Sequence, residues 1–171
     1  MKTRRLVVIG LVIVTGTAGI LGCYSQTAKD VAERAALDSA TGVVSVTGTS
    51  FEHHLVLRTG NVAVKLAVTP SDSAALTNLA GVETRVRGRS DDGVMHVASF
   101  TALSVDGKPV VDGIIVVQSG RLFLNTLTGM RAVGNPPAKL REMVSARVWI
   151  GGPMDTGPNS YGVIVPVVIK P

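Results

Sequence analysis

The sequence predicts an all-β fold with short helices, and three observations carry that prediction. From Gly42 onward apolar residues alternate with polar or small ones: Val44, Val46; Leu55, Leu57; Val62, Val64, Leu66, Val68; Val82, Thr84, Val86; Val94, His96. Thr-Gly, Asp-Asp-Gly and Asp-Gly sequences separate these runs, and turns of that chemistry join antiparallel strands. The pattern then recurs, as a unit of about 65 residues that occurs twice.

Taken in chain order, the first element is a leader. Met1-Lys2-Thr3-Arg4-Arg5 carries three positive charges and no acid, and Leu6 to Leu21 adds sixteen uncharged residues that include Gly10, Gly16 and Gly19. This matches the charged and apolar regions of an export signal. A spanning helix needs roughly 20 apolar residues and is weakened by interior glycine. The run ends at Ile20-Leu21-Gly22-Cys23. These residues resemble the lipobox of bacterial lipoproteins: an aliphatic residue three places before the cysteine, a small residue immediately before it, then the cysteine. Gly22 and Cys23 match the pattern well. Ile20 and Leu21 depart from its commoner Leu and Ala or Ser.

The resemblance implies removal of residues 1–22, a diacylglycerol on the Cys23 sulfur and acylation of the new amino group. Each buried CH₂ then contributes about 0.8 kcal/mol, so several acyl chains make a stable anchor. It also implies a cell-envelope protein attached to a bacterial membrane. In a Gram-negative host, Tyr24 in place of Asp implies the periplasmic side of the outer membrane. A plain signal peptide with an incidental cysteine and an uncut anchor are the alternatives. Cys23 is the only cysteine, which excludes an internal disulfide and a multi-cysteine zinc site.

The leader also accounts for most of the apparent charge. The whole chain has a formal charge of +5, but without Lys2, Arg4 and Arg5 there remain 14 basic residues against 12 acidic, or +2. That is no nucleic-acid footprint. Three Phe, two Tyr and one Trp are few for a base-stacking platform.

Residues 23–41 form the expected lipidated cysteine and tether, polar and Ala-rich. Two β units are expected to follow, at residues 42–107 and 108–171. Thr59-Gly60-Asn61-Val62 aligns with Ser119-Gly120-Arg121-Leu122, and Thr47-Gly48 with Asp112-Gly113. Leu76, Leu79, Val82, Thr84, Val86 and Gly88 align with Leu140, Met143, Ala146, Val148, Ile150 and Gly152. Helices are expected over Ser71–Ala80, capped by Ser71 and Asp72, and over Pro137–Val144, started by Pro136-Pro137.

The run Leu76…Leu79-Ala80-Gly81-Val82-Glu83-Thr84-Arg85-Val86-Arg87-Gly88 resembles the bacterial OB-fold modules of periplasmic proteins and lipoproteins. The second copy departs from it at Ser145 and Trp149. The resemblance implies two tandem small OB-like barrels, each five strands in Greek-key order with a helix at one end. A single β-sandwich with an internal repeat is the alternative. The apolar run Tyr161–Lys170, interrupted by Pro166, reads as a strand buried on both faces or lying between the two units.

No sequence motif marks a catalytic set, a metal site or a cofactor site, and no cofactor is expected. Glu52-His53-His54 is the sharpest metal candidate, but His53 and His54 alternate on a strand and point to opposite faces. His96 is remote in sequence. Asp91-Asp92-Gly93, Asp106-Gly107 and Asp112-Gly113 read as hairpin turns. The more promising surface combines Arg85 and Arg87 of one strand with Arg147 and Trp149 of its counterpart. Outward Trp beside Arg suits a glycan, a lipid head group or a protein partner. The expected function is therefore a non-catalytic binding or structural module of the cell envelope. The alternatives are an accessory subunit of an envelope complex and, further off, a metal-binding or enzymatic periplasmic protein.

Overall fold

The computed structural model describes residues 37–49 and 52–167. The leader, Cys23 and all of the tether before Leu37 lie outside the described residues. Among the described residues no helix is long and apolar enough to cross a membrane. The all-β expectation with short helices holds. In order the elements are β1 (Asp38–Gly48), β2 (His53–Thr59), β3 (Val62–Ala67), α1 (Pro70–Thr77), β4 (Glu83–Asp91), β5 (Val94–Val105), β6 (Lys108–Gln118), β7 (Arg121–Thr126), β8 (Gly129–Ala132), α2 (Ala138–Arg141), β9 (Arg147–Gly151) and β10 (Ser160–Val165).

The first five strands close on themselves. β1 pairs antiparallel with β2 and with β4, β2 with β3, and β4 with β5, while β3 runs parallel to β5. Closure removes the free edges that would otherwise invite aggregation. Parallel pairing of β3 and β5 requires a crossover, and α1 with β4 supplies it. The alternation read from β4 appears as burial: Thr84, Val86 and Gly88 face inward, while Arg85 and Arg87 are exposed. Val44, Leu55, Leu57, Leu66, Val86 and Met95 are among the side chains that fill this core. Leu76 of α1 and Leu79 just after it are fully buried in the same core.

Helix α1 starts earlier than expected. Its cap is Thr69, whose Oγ1 accepts from the Asp72 N–H at 3.2 Å while its hydroxyl donates to the Asp72 carboxylate at 2.7 Å. Pro70 follows the cap, where its fixed φ and missing N–H do no harm. Strand β1 likewise begins at Asp38, inside the segment expected to be tether. Residues 38–41 are polar or small, so hydropathy did not mark them, but they complete the ladder to β4 residues 85–88.

Strands β6 to β10 form the order β10-β9-β6-β7-β8. β8 and β10 do not pair with each other, so this set stays open. The loop after β9 lies along the segment after β8. The Gly134 N–H donates to the Met154 carbonyl at 2.7 Å, Asn135 Nδ2 donates to the Thr156 carbonyl at 3.1 Å, and Met154 is buried. Ile115, Leu124, Leu140, Val148 and Ile150 make a second core.

The two strand sets interlock. The hairpin from β5 to β6 turns at Asp106-Gly107, and its ladder is short, with Ser104 opposite Pro109 and Val105 opposite Lys108. β10 lies between the cores: Ile164 is fully buried in the first, and Tyr161 packs against the second. Asn78 Nδ2, at the end of α1, donates to the Ile164 carbonyl at 3.1 Å. The described residues accordingly make one compact unit.

The internal alignment is half right. In the first set the Gly81 N–H donates to the Val44 carbonyl and the Val44 N–H to the Val82 carbonyl; in the second, Ser145 and Ile115 and then Ile115 and Ala146 make the same pair of bonds. The alignment of Leu76–Gly88 with Leu140–Gly152 is thereby in register. The turn alignments are not. Thr59-Gly60 lies in the turn from β2 to β3, but Ser119-Gly120 joins β6 to β7, the first hairpin of its set. Asp112-Gly113 is no turn at all and lies within β6. A Gly turn carries no label of which hairpin it closes, so turn residues alone placed the first half of the unit one hairpin out.

Candidate functional site

The side chains expected to form one surface divide between two grooves. Arg85 and Arg87 project from β4 and are both exposed. Among the described residues neither has a hydrogen-bonded or ionic partner. Cross-strand neighbours set their surroundings. Arg85 stands between Thr41 of β1 and Thr101 of β5, and Arg87 between Ser39 and Ser99. Residues directly opposite on paired strands share a face, so each arginine leaves the sheet between two hydroxyl-bearing residues.

These arginines line a groove of about 560 Å³. Its far wall comes from β6, the turn after β7 and β9, through Ile114, Asn125, Leu127 and Arg147. Leu127 is 89 % exposed at the turn tip, and Ile114 is also exposed. The groove therefore brings exposed cationic donors and apolar side chains together. Two acids also reach it, Asp72 and Asp112. Asp72 is engaged by the Thr69 hydroxyl.

Arg147 is not free. Its Nε donates to Asp112 Oδ1 at 2.9 Å and its Nη2 to Oδ2 at 2.8 Å, a two-pronged pair. Nη2 also donates to the Phe100 carbonyl at 2.6 Å, and the guanidinium carbon lies 4.5 Å from the centre of the Phe100 ring. The Asp112 side chain is only 4 % exposed. Its Oδ2 accepts a further bond, from the Ala102 N–H at 3.0 Å. The β5–β6 ladder has already ended by then, at Ser104 and Pro109. Asp112 thus supplies the acceptor that the departing strand no longer offers. Gly113 beside it is required by close approach, since a Cβ there would lie 2.6 Å from the Asn125 carbonyl oxygen. Arg147 and Asp112 form a rigid post between the strand sets, and the reading of Asp112-Gly113 as a turn gave no sign of it.

Trp149 lies on the same face of β9 as Arg147, but it is half-buried and packs against the first core. Its ring sits over β10: a Cβ on Gly162 would come within 2.5 Å of the indole. What remains accessible of it borders a second groove, of about 680 Å³, with Val105, Lys108, Pro109 and Asn159. Trp149 is thus a contact within the chain. Its expected partnership with Arg85 and Arg87 on one surface is not what the fold builds.

No family model, characterised protein or solved structure matches the chain. The site stands on its own geometry.

The remaining candidates do not converge. His54 Nε2 lies 3.9 Å from Glu52 Oε1. His53 precedes His54 on β2, and His96 is on β5 opposite Arg89. Among the described residues no three of His, Cys, Asp and Glu gather as metal ligands would. Asp92-Gly93 and Asp106-Gly107 are hairpin turns, as read, with φ of 46° and 74° and of 50° and 72°. Positive φ at both central residues is the geometry of the tight turn that Asp-Gly favours.

Proposed function

We propose that this chain is an envelope lipoprotein, anchored through lipid on Cys23, whose β domain is a non-catalytic binding module. The observation that carries the binding reading is the pair Arg85 and Arg87: exposed, without a hydrogen-bonded or ionic partner among the described residues, and lining one groove with apolar side chains. An exposed guanidinium on a closed barrel offers planar, directional donors to an anionic or polar ligand without a loop having to order first.

The β domain is, on this reading, two copies of an OB-like unit. The order of strands and helix recurs, β1-β2-β3-α1-β4-β5 and then β6-β7-β8-α2-β9-β10, and so do the pairings except the one that would close the second copy. The recurrent bonds at Gly81 and Ser145 support the same reading. The Cys23 anchor is supported by the lipobox resemblance and by the absence of any second cysteine in the sequence.

Photo-crosslinking in native membranes tests the function. A photoreactive residue at Thr101, within the groove, is expected to capture a lipid, glycan or protein, and Arg85→Ala with Arg87→Ala is expected to abolish the capture. The same residue at Val62, exposed and outside the groove, is the control. Equal capture at Thr101 and Val62 would remove the binding reading. Intact mass of the amino-terminal peptide tests the anchor separately.

A further inference from the structure

The ligand of the groove follows from where the chain enters the fold. Leu37 lies fourteen positions after Cys23. At about 3.5 Å per extended residue, the domain can stand no more than about 50 Å from a lipid on that cysteine. The described chain then starts at the arginine row itself: Asp38 pairs with Gly88, Ser39 with Arg87 and Thr41 with Arg85. Asp38 also fastens this corner, accepting from the Ser90 N–H at 3.0 Å. The first described residues therefore lie along the strand that carries Arg85 and Arg87.

Three features of this face suit a membrane surface. Arg85 and Arg87 are exposed cations, with no hydrogen-bonded or ionic partner among the described residues. Ser39, Thr41, Ser99 and Thr101 add hydroxyls beside them. Across the groove, Leu127 projects almost fully exposed from a turn, with exposed Ile114 on the adjoining strand. Cations that meet phosphates, next to apolar side chains that reach the acyl boundary, are the combination by which peripheral proteins hold to anionic bilayers. Stable attachment also commonly joins a lipid chain to a basic patch.

We infer that the β4 face, with Arg85, Arg87, Ile114 and Leu127, binds the phosphate head groups of anionic lipids in the membrane to which the chain is anchored. The inference rests on the lipid-anchor reading. It sets the domain down on the bilayer, and does not leave it free on its tether.

The test uses the full chain reconstituted into vesicles of phosphatidylcholine alone or of phosphatidylcholine mixed with phosphatidylglycerol. Thr128→Cys places a thiol on the turn beside Leu127, and Val62→Cys is the control. A membrane-impermeant maleimide reads exposure, and circular dichroism verifies the fold. Thr128→Cys is expected to label several-fold more slowly in the anionic vesicles, with Val62→Cys unchanged. Arg85→Ala with Arg87→Ala is expected to erase the difference. A basic residue near an anionic surface is worth about fivefold in association, so the pair accounts for about 30-fold.

Equal labelling in both vesicles, with Cys23 acylated by mass, would overturn the inference and leave the anchor intact. Slowing by soluble glycerol phosphate in neutral vesicles, with none from anionic lipid, would also overturn it. If Cys23 proves unacylated, the anchor reading fails by itself. Co-sedimentation of the chain with the same two vesicles then decides the arginine face: binding only to the anionic set supports it, and equal or no binding overturns it.

Discussion

Replacing Arg147 with alanine is the most severe test of the post between the two strand sets. The Asp112 side chain is 4 % exposed, and its carboxylate takes two bonds from Arg147 and one from the Ala102 N–H. Arg147→Ala removes the charged partner and leaves a buried carboxylate with one neutral donor. Breaking a buried pair in this way costs about 3–5 kcal/mol, because the survivor has neither water nor a counter-charge. Arg147 itself is 26 % exposed. Asp112→Asn therefore leaves a guanidinium that can reach water, and the new amide still offers an oxygen to the Ala102 N–H. Its cost is expected to be smaller, about 1–3 kcal/mol. Arg147→Lys keeps the charge but loses the fork and the stacking on Phe100, and should fall between the two. The assay is equilibrium unfolding in urea, followed by far-ultraviolet circular dichroism and by the fluorescence of Trp149, the single tryptophan. At roughly 3 °C per kcal/mol, Arg147→Ala should also lower Tm by about 10 °C or more. If Arg147→Ala cost less than about 1 kcal/mol, or less than Asp112→Asn, the pair would be incidental and the reasoning refuted.

Three further substitutions test other joints of the fold. Ser145 has φ of 72° at the place where the first set has Gly81, with φ of 85°; Ser145→Gly should stabilise by about 0.5–1 kcal/mol, the left-handed strain relieved exceeding the entropy that glycine loses, and a lower urea midpoint would contradict this. Gly162→Ala drives a Cβ to within 2.5 Å of the Trp149 indole; it should cost about 1–3 kcal/mol, shift the tryptophan emission, and be partly rescued by Trp149→Leu, whereas an unshifted spectrum would deny the contact. Ile164→Ala should cost about 2–5 kcal/mol in urea unfolding, although Ile164 follows the strands of its core by some sixty positions; a cost under about 1 kcal/mol would mean that β10 does not serve the first core.

Local chemistry made some of this legible in the sequence. The alternation through Val82–Gly88 predicts which residues face inward, and β4 follows it residue by residue. Asp92-Gly93, Asp106-Gly107 and Ser119-Gly120 turn where their chemistry says, because positive φ is a local demand. The run Tyr161–Lys170 reads as a strand buried on both faces or lying between the units; its described part lies between the two cores, with Ile164 fully buried, but Val165 to Val167 are exposed. Asp112-Gly113 defeated the same logic. In sequence it is indistinguishable from the turn pairs, and what distinguishes it is non-local: an orphaned N–H at Ala102 and a guanidinium at Arg147. Trp149 failed for a related reason. Outward from one core is not outward to solvent when a second core lies on that side, and periodicity within one strand cannot see the neighbour.

The two strand sets thus divide the work. Arg85 and Trp149 occupy corresponding positions once Val82 is matched to Ala146, and both turn away from their own core. In the closed barrel that outward side keeps its arginines exposed. In the open set it is covered, by Trp149 against the first core and by Arg147 against Phe100. β8 and β10 do not pair, and β10 instead gives Ile164 to the other core. The cost of leaving the second set open is offset by the interface that Ile164, Trp149 and the Arg147–Asp112 pair create. The consequence for function is that, of the corresponding strands β4 and β9, only β4 keeps its outward arginines exposed.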